Sequence, residues 1–140
     1  MGKQIYPATR AEVDALDDHV EKYNEALKPV LQDKKYESFA YVMKEADGQV
    51  IAGCSGYSSL YFIGYIDTLW VAENYRGHGL GSQLLAKVEA DLKAYGCELC
   101  HLDTFDFQAP HFYEQHGYKV FGQLEHKKAG LKEFFLCKEL

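Results

Sequence analysis

The chain has 140 residues, the length of one domain, and its 47% hydrophobic content can build one core but not two. A formal net charge of −6 without a cluster of Lys and Arg excludes a binder that tracks nucleic-acid phosphates. There is no run of about 18 apolar residues to span a membrane and no apolar segment near the N-terminus to act as a secretory signal, so the chain is expected to be cytoplasmic.

The first predicted element is a helix. Thr9 and Glu12 fit a capping box, Val13, Leu16, Val20 and Leu27 follow at helical spacing, and Pro29 marks the end. Residues 31–37 are polar and read as irregular. Residues 38–45 and 49–58 read as paired strands around Asp47-Gly48, a two-residue hairpin signal, with Gly53 and Gly56 marking a bulge or a close backbone approach. A third strand covers residues 61–71.

The period then switches. Leu80, Leu84, Leu85, Val88 and Leu92 form a helical stripe that Gly96 terminates. Residues 98–104 read as a strand, a short helix follows between Pro110 and Gly117, and residues 118–124 and 131–139 read as closing strands. No linker or repeat divides residues 1–140, so one domain is expected, of mixed α/β (α+β) type, with helices flanking a twisted, largely antiparallel sheet.

The most informative stretch is Asn74-Tyr75-Arg76-Gly77-His78-Gly79-Leu80-Gly81-Ser82, between a strand and the amphipathic helix. Three alternate glycines allow a tight turn and a close ligand approach. Free amides at the positive end of the helix suit a pyrophosphate, and Arg76 can add a charge-assisted contact. A P-loop would need Gly-Lys-Ser/Thr, but Gly81 is followed by Ser82-Gln83. The dinucleotide pattern fails because its third glycine comes one residue early.

Arg76-x-x-Gly79-x-Gly81, preceded by Leu69-Trp70-Val71 and followed by Leu84-Leu85, resembles the acetyl-CoA motif of the GNAT superfamily of N-acetyltransferases. The likeness covers most of the chain from Phe39 to Leu140. It implies that the donor acetyl-CoA meets Arg76, Gly77, His78, Gly79, Leu80, Gly81 and Ser82 through its pyrophosphate. His78 would contribute its backbone amide. Pantetheine would lie against the backbone near Leu69, Trp70 and Val71, where the third strand splays from the next.

Residues 107–118 resemble a second stretch of that family, with Ala109, Phe112, Tyr113, Gly117 and Tyr118 matching. Asp106 stands where the family carries Asn, and Gln108 is placed to take over the amide's role. By this resemblance Tyr113 protonates the departing CoA thiolate, which suits a phenol with a pKa of about 10. By its residues alone it reads as a core tyrosine beside Phe112. Family members usually open with a strand, but here only Gln4-Ile5-Tyr6 precedes Pro7, so that strand is short or absent. The exposed sheet edge this leaves would suit a homodimer.

The same resemblance implies that the candidate base comes from the third strand, before the glycine turn. Period-2 alternation puts Tyr65, Asp67 and Leu69 on one face. Asp67 can take the amine proton, hold a substrate ammonium or cap a strand end. Cys97-Glu98-Leu99-Cys100-His101 spells a haem attachment motif, but in a strand the two cysteines would face opposite sides. Cys54 and Cys137 do not complete a zinc set, so no metal is expected. The expected activity is direct acetyl transfer to a primary amine of a small molecule or a protein. The competing readings are a non-catalytic CoA-binding sensor or partner subunit, and an interaction module whose glycine turn is only structural. Tyr36, Tyr57, Tyr61 and Phe62 are candidates to line an acceptor pocket.

Overall fold

In the computed structural model, which describes residues 2–140, the chain forms two compact units, Met1–Leu31 and Gln32–Leu140. The first is built on helix α1 (Arg10–Leu27). Its capping box forms as the sequence predicts: the Glu12 amide donates to Thr9 Oγ1 at 3.2 Å, and the Thr9 amide donates to Glu12 Oε1 at 3.1 Å. Residues 4–6 form no strand.

The second unit holds a six-stranded sheet in the order β1-β2-β3-β4-β6-β5. Its strands are β1 (Tyr36–Lys44), β2 (Val50–Ser59), β3 (Ile63–Val71), β4 (Leu99–Phe105), β5 (Lys119–His126) and β6 (Leu131–Glu139). All neighbours are antiparallel except β3 and β4. That parallel pair requires a crossover, and α2 (Leu80–Tyr95) provides it after a single 3-10 turn at Glu73–Tyr75. Helix α3 (Pro110–Gln115) links β4 to β5. The mixed, largely antiparallel sheet is the fold that the periodicities predict.

Helix α2 buries Leu84, Leu85, Val88 and Leu92 in a core shared with Ala52, Cys54, Ile66, Leu102, Tyr118 and Leu136. The stripe recurs at three- and four-residue steps, so one helix face carries it all. Cys97 and Cys100 both join this core. The expected opposition of the two fails because β4 begins only at Leu99, leaving Cys97 in the turn after Gly96, where strand alternation does not apply.

Two local expectations change. The first hairpin turns through residues 46–48, not through Asp47-Gly48 alone. The Glu45 amide donates to the Gln49 carbonyl at 2.9 Å, and Gly48 takes a left-handed φ of 90°. The segment before β1 is organised by Gln32, a buried side chain that sequence periodicity does not flag. Its Nε2 donates to the carbonyls of Lys34 and Ser58, while its Oε1 accepts from Ser58 Oγ and the Phe62 amide.

Candidate active site

Strands β3 and β4 bridge only at Ile63↔Leu99, Gly64↔Cys100 and Tyr65↔His101. Beyond Tyr65 they part, and among the described residues the β3 edge facing β4 has no further ladder partner. Unpaired strand backbone is a ready hydrogen-bonding surface for a ligand. A cleft of about 720 Å³ opens beside it.

Three elements line the cleft. Strand β3 contributes Leu69, Trp70 and Val71. The turn and the start of α2 contribute Tyr75, Arg76, Gly77, Gly79, Leu80, Gly81 and Ser82. The segment around α3 contributes Phe107, Gln108, Ala109, Phe112 and Tyr113. Gly79 is the N-cap of α2 at φ 77°, with no side chain to cap the first-turn amides, which stay available to an anion. A Cβ on Gly81 would stand 3.4 Å from the Phe112 ring, so a bare glycine keeps the wall thin where α2 meets α3.

His78 and Asp106 are not among the lining residues. Asp106 instead ties the end of β4 to β6. Its amide donates to the Lys132 carbonyl at 2.9 Å, and its carboxylate accepts from the Lys132 amide at 3.1 Å. It does not cap α3, whose N-cap is Ala109. Gln108 does face the cleft, with Oε1 accepting from the Phe105 amide at 2.8 Å. Tyr75 is a lining residue to which the motif assigns no role. Its hydroxyl donates to Glu45 across the first hairpin, a contact between residues too far apart in sequence for any local pattern.

Tyr113 is nearly buried, at 8% exposure, with its ring edge-on to Phe112 and Tyr118. Burial pushes its phenol up to about 12, with lesser contributions from the Cys54 and Cys100 thiols. The group therefore stays protonated and available as a donor across the neutral range.

Asp67 departs from the expected alternation. Thr68 pairs with Ser55 and Ile66 with Gly56, so Asp67 is the extra, unpaired residue of a β-bulge. The bulge resets the phase: Tyr65 sits opposite Tyr57 on the sheet face away from α2, whereas Leu69 sits opposite the core residue Cys54. Tyr65, Asp67 and Leu69 therefore do not share a face. A Cβ at Gly56 would stand 2.6 Å from the Tyr65 carbonyl, so the bulge needs glycine there.

The outer face carries a row of rings. Tyr36 meets Tyr57 at 5.7 Å, Tyr57 meets Tyr65 at 5.2 Å, and Tyr65 meets His101 at 5.0 Å. Tyr65 donates to Asp103 Oδ1 at 2.6 Å. Burial raises the Tyr57 phenol, and the nearby Asp67 carboxylate adds to that shift. Burial lowers His101, opposed by Asp103. The sequence candidates divide accordingly: Tyr36 and Tyr57 join this row, whereas Phe62 packs on Tyr95 at 5.6 Å and belongs to the core edge. Among the described residues, no group of three His, Cys, Asp or Glu side chains is placed to hold a metal ion, and no helix is long and apolar enough to cross a membrane.

A strand splayed beside a glycine turn, with a helix N-terminus and a buried phenol on one cleft, defines the acyl-CoA transferase class. Residues 8–118 match the model of the acetyltransferase (GNAT) family, and the chain belongs to that family. It is 34% identical over 113 residues to the blasticidin-S acetyltransferase of Streptomyces morookaense, covering 80% of this chain and 82% of that protein. The crystal structure of an acetyltransferase from Bacillus cereus ATCC 14579 superposes with a TM-score of 0.89 at 37% identity, covering 99% of this chain and 98% of that one. The fold alone is shared with a protein assigned as a streptothricin acetyltransferase from Bacillus anthracis str. Ames, solved in complex with acetyl coenzyme A. That match has a TM-score of 0.64 at 21% identity and covers 74% of this chain and 62% of that one.

Proposed function

We propose that residues 1–140 act as one N-acetyltransferase domain that moves the acetyl group of acetyl-CoA to a primary amine by direct attack in a ternary complex. The observation that carries this reading is the parting of β3 from β4 beside the uncapped start of α2. It offers backbone donors and acceptors to pantetheine and amides to pyrophosphate on one continuous cleft. Arg76, Gly77, Gly79, Leu80, Gly81 and Ser82 hold the phosphates, and Leu69, Trp70 and Val71 run along the pantetheine. Gln108 contacts the donor from the α3 side.

In the reaction the amine nitrogen attacks the thioester carbonyl carbon, whose developing oxyanion is stabilised by the β3 backbone. Collapse breaks the carbon–sulfur bond. The thiolate takes its proton from Tyr113, which is then reprotonated from solvent. Asp67, or water held beside it, takes the proton from the amine. Asp67 and Asp103 lie just beyond the last bridge between the two strands, a pair of carboxylates that suits an incoming ammonium. The relation to the blasticidin-S acetyltransferase makes blasticidin S the first acceptor to assay.

The test is isothermal titration with acetyl-CoA, followed by thiol release with blasticidin S and a panel of primary amines. Saturable binding and amine-dependent thiol release support the reading. Binding without turnover of any amine would favour a non-catalytic CoA sensor, and no binding would remove the donor site.

A further inference from the structure

His116 stands at the C-terminal end of α3 and joins the donor cleft through a side chain that does not line it. Its Nδ1 lies 2.7 Å from the Phe112 carbonyl, and its Nε2 lies 2.8 Å from the Ser82 hydroxyl. The ring also stacks on Phe112 at 4.4 Å. Ser82 lines the cleft in the first turn of α2.

The direction of these bonds follows from what each atom can do. A carbonyl only accepts, so Nδ1 carries a hydrogen. In the neutral ring Nε2 is then an acceptor, and the Ser82 hydroxyl must donate its hydrogen to it. Ser82 accordingly turns lone pairs toward the cleft. A phosphate oxygen also offers only lone pairs, so this arrangement opposes the ligand. Adding a proton to Nε2 reverses the bond. The imidazolium donates to Ser82 Oγ, and the serine hydrogen is released toward the cleft.

We infer that His116 is a positioning residue for the donor: it sets the direction of the Ser82 hydroxyl, and it takes up a proton from solvent when the pyrophosphate of acetyl-CoA binds. The inference rests on the donor site proposed above. A bound phosphate brings negative charge beside Ser82, which the imidazolium can answer only through the reversed hydrogen bond. Charged or titratable groups on the elements around it include Arg76 and His78 in the turn, Glu89 on α2, His111 and Glu114 on α3, Lys119 on β5 and Lys138 on β6. His111 and Glu114 lie 3.8 Å apart, and Lys138 is held by Glu89 at 2.9 Å. Arg76 is committed through Nε to the Val71 carbonyl. The ring nitrogens themselves are engaged by Phe112 and Ser82.

The experiment is titration of wild type, His116→Gln and Ser82→Ala with acetyl-CoA in two buffers of different ionisation enthalpy, at several pH values between 6 and 9. Wild type should show a buffer-dependent binding enthalpy that corresponds to a larger net proton uptake than either substituted protein shows. Its affinity should fall by about tenfold more than theirs as pH rises, the scale of one charge-assisted hydrogen bond. The donor's own titration is common to all three proteins and cancels in the comparison. Equal proton uptake in wild type and Ser82→Ala overturns the inference, even if His116→Gln does not fold. The two possible failures also separate. Binding of acetyl-CoA with the same proton uptake in all three proteins removes only this inference, whereas no binding of acetyl-CoA by wild type removes the donor site and the inference with it.

Discussion

Arg76 donates from Nε to the carbonyl oxygen of Val71 at 3.0 Å, closing the turn between the end of β3 and the start of α2. The bond engages Nε alone and not the terminal Nη groups, and both residues line the cleft. An arginine fixed at its neck has less freedom to lose when it meets a phosphate. Arg76→Ala should therefore weaken acetyl-CoA binding by about tenfold, the scale of a charge-assisted contact. Arg76→Lys should not restore it, because a lysine has no second nitrogen to satisfy Val71. Titration of the three proteins decides this, and full rescue by lysine would mean that only the charge matters.

Tyr113→Phe should lower kcat by roughly 10²- to 10⁴-fold, the usual contribution of a positioned acid. The dissociation constant of acetyl-CoA should change little, because the ring and its contacts with Phe112 and Tyr118 remain. A phenol raised to about 12 is a weak acid, so transfer to a thiolate is favourable only if the same dry site raises the thiolate's basicity too. The role has a pH signature. The proton on Tyr113 is held up to about 12, so kcat should show no alkaline decline from this group in the range up to roughly pH 10. A decline at lower pH that disappears in Tyr113→Phe would contradict the assignment of a burial-raised phenol.

What the sequence can and cannot foresee follows from the range of the forces involved. The Thr9–Glu12 box, the α2 stripe and the glycine turn are local patterns, and they form as read because each is set within one or two turns of chain. Counting along β3 misplaces Asp67 because strand phase is decided by the partner strand. Gly56 on β2 admits the extra residue on β3, and period-2 counting along β3 alone cannot detect it. Asp106 follows the same logic, since its partner Lys132 lies on β6. His116 is visible in the sequence as a residue near the motif, but its connection to Ser82 spans 34 positions and leaves no local trace.

Gly56→Ala tests the bulge. The added Cβ would meet the Tyr65 carbonyl at 2.6 Å and the Val88 and Ile66 side chains at 3.2 and 3.3 Å, so backbone must move. Overpacking of this kind costs about 1–3 kcal/mol, readable as a lower urea midpoint. The shift should also move Asp67 relative to the splay, so turnover should fall further than the affinity for acetyl-CoA. A stable Gly56→Ala protein with unchanged turnover would show that the bulge does not position the site.

Alkaline stability should follow the buried thiols and phenols. Burial raises Cys54 and Cys100 from 9.0 to about 12 and Tyr113 from 10.0 to about 12, and it raises Tyr118 as well. In each case the neutral, protonated form is the one the fold prefers. Below about pH 9 native and unfolded chains hold the same protons, and the stabilisation is complete. As pH rises from about 9 toward 12 the unfolded chain releases these protons first, so it binds fewer than the native state and the unfolding free energy falls with pH. The urea midpoint under reducing conditions should thus be level from about pH 7 to 8.5 and drop steadily above about 9. Cys54→Ala should flatten part of that drop while lowering the plateau, since it removes a titrating group and core volume together. A midpoint that stays level to about pH 11 would mean that these groups are solvated in the native state. Cys137, half-exposed on β6, provides a second check at about pH 8: a thiol reagent should label it in the folded protein and reach Cys54, Cys97 and Cys100 only on unfolding.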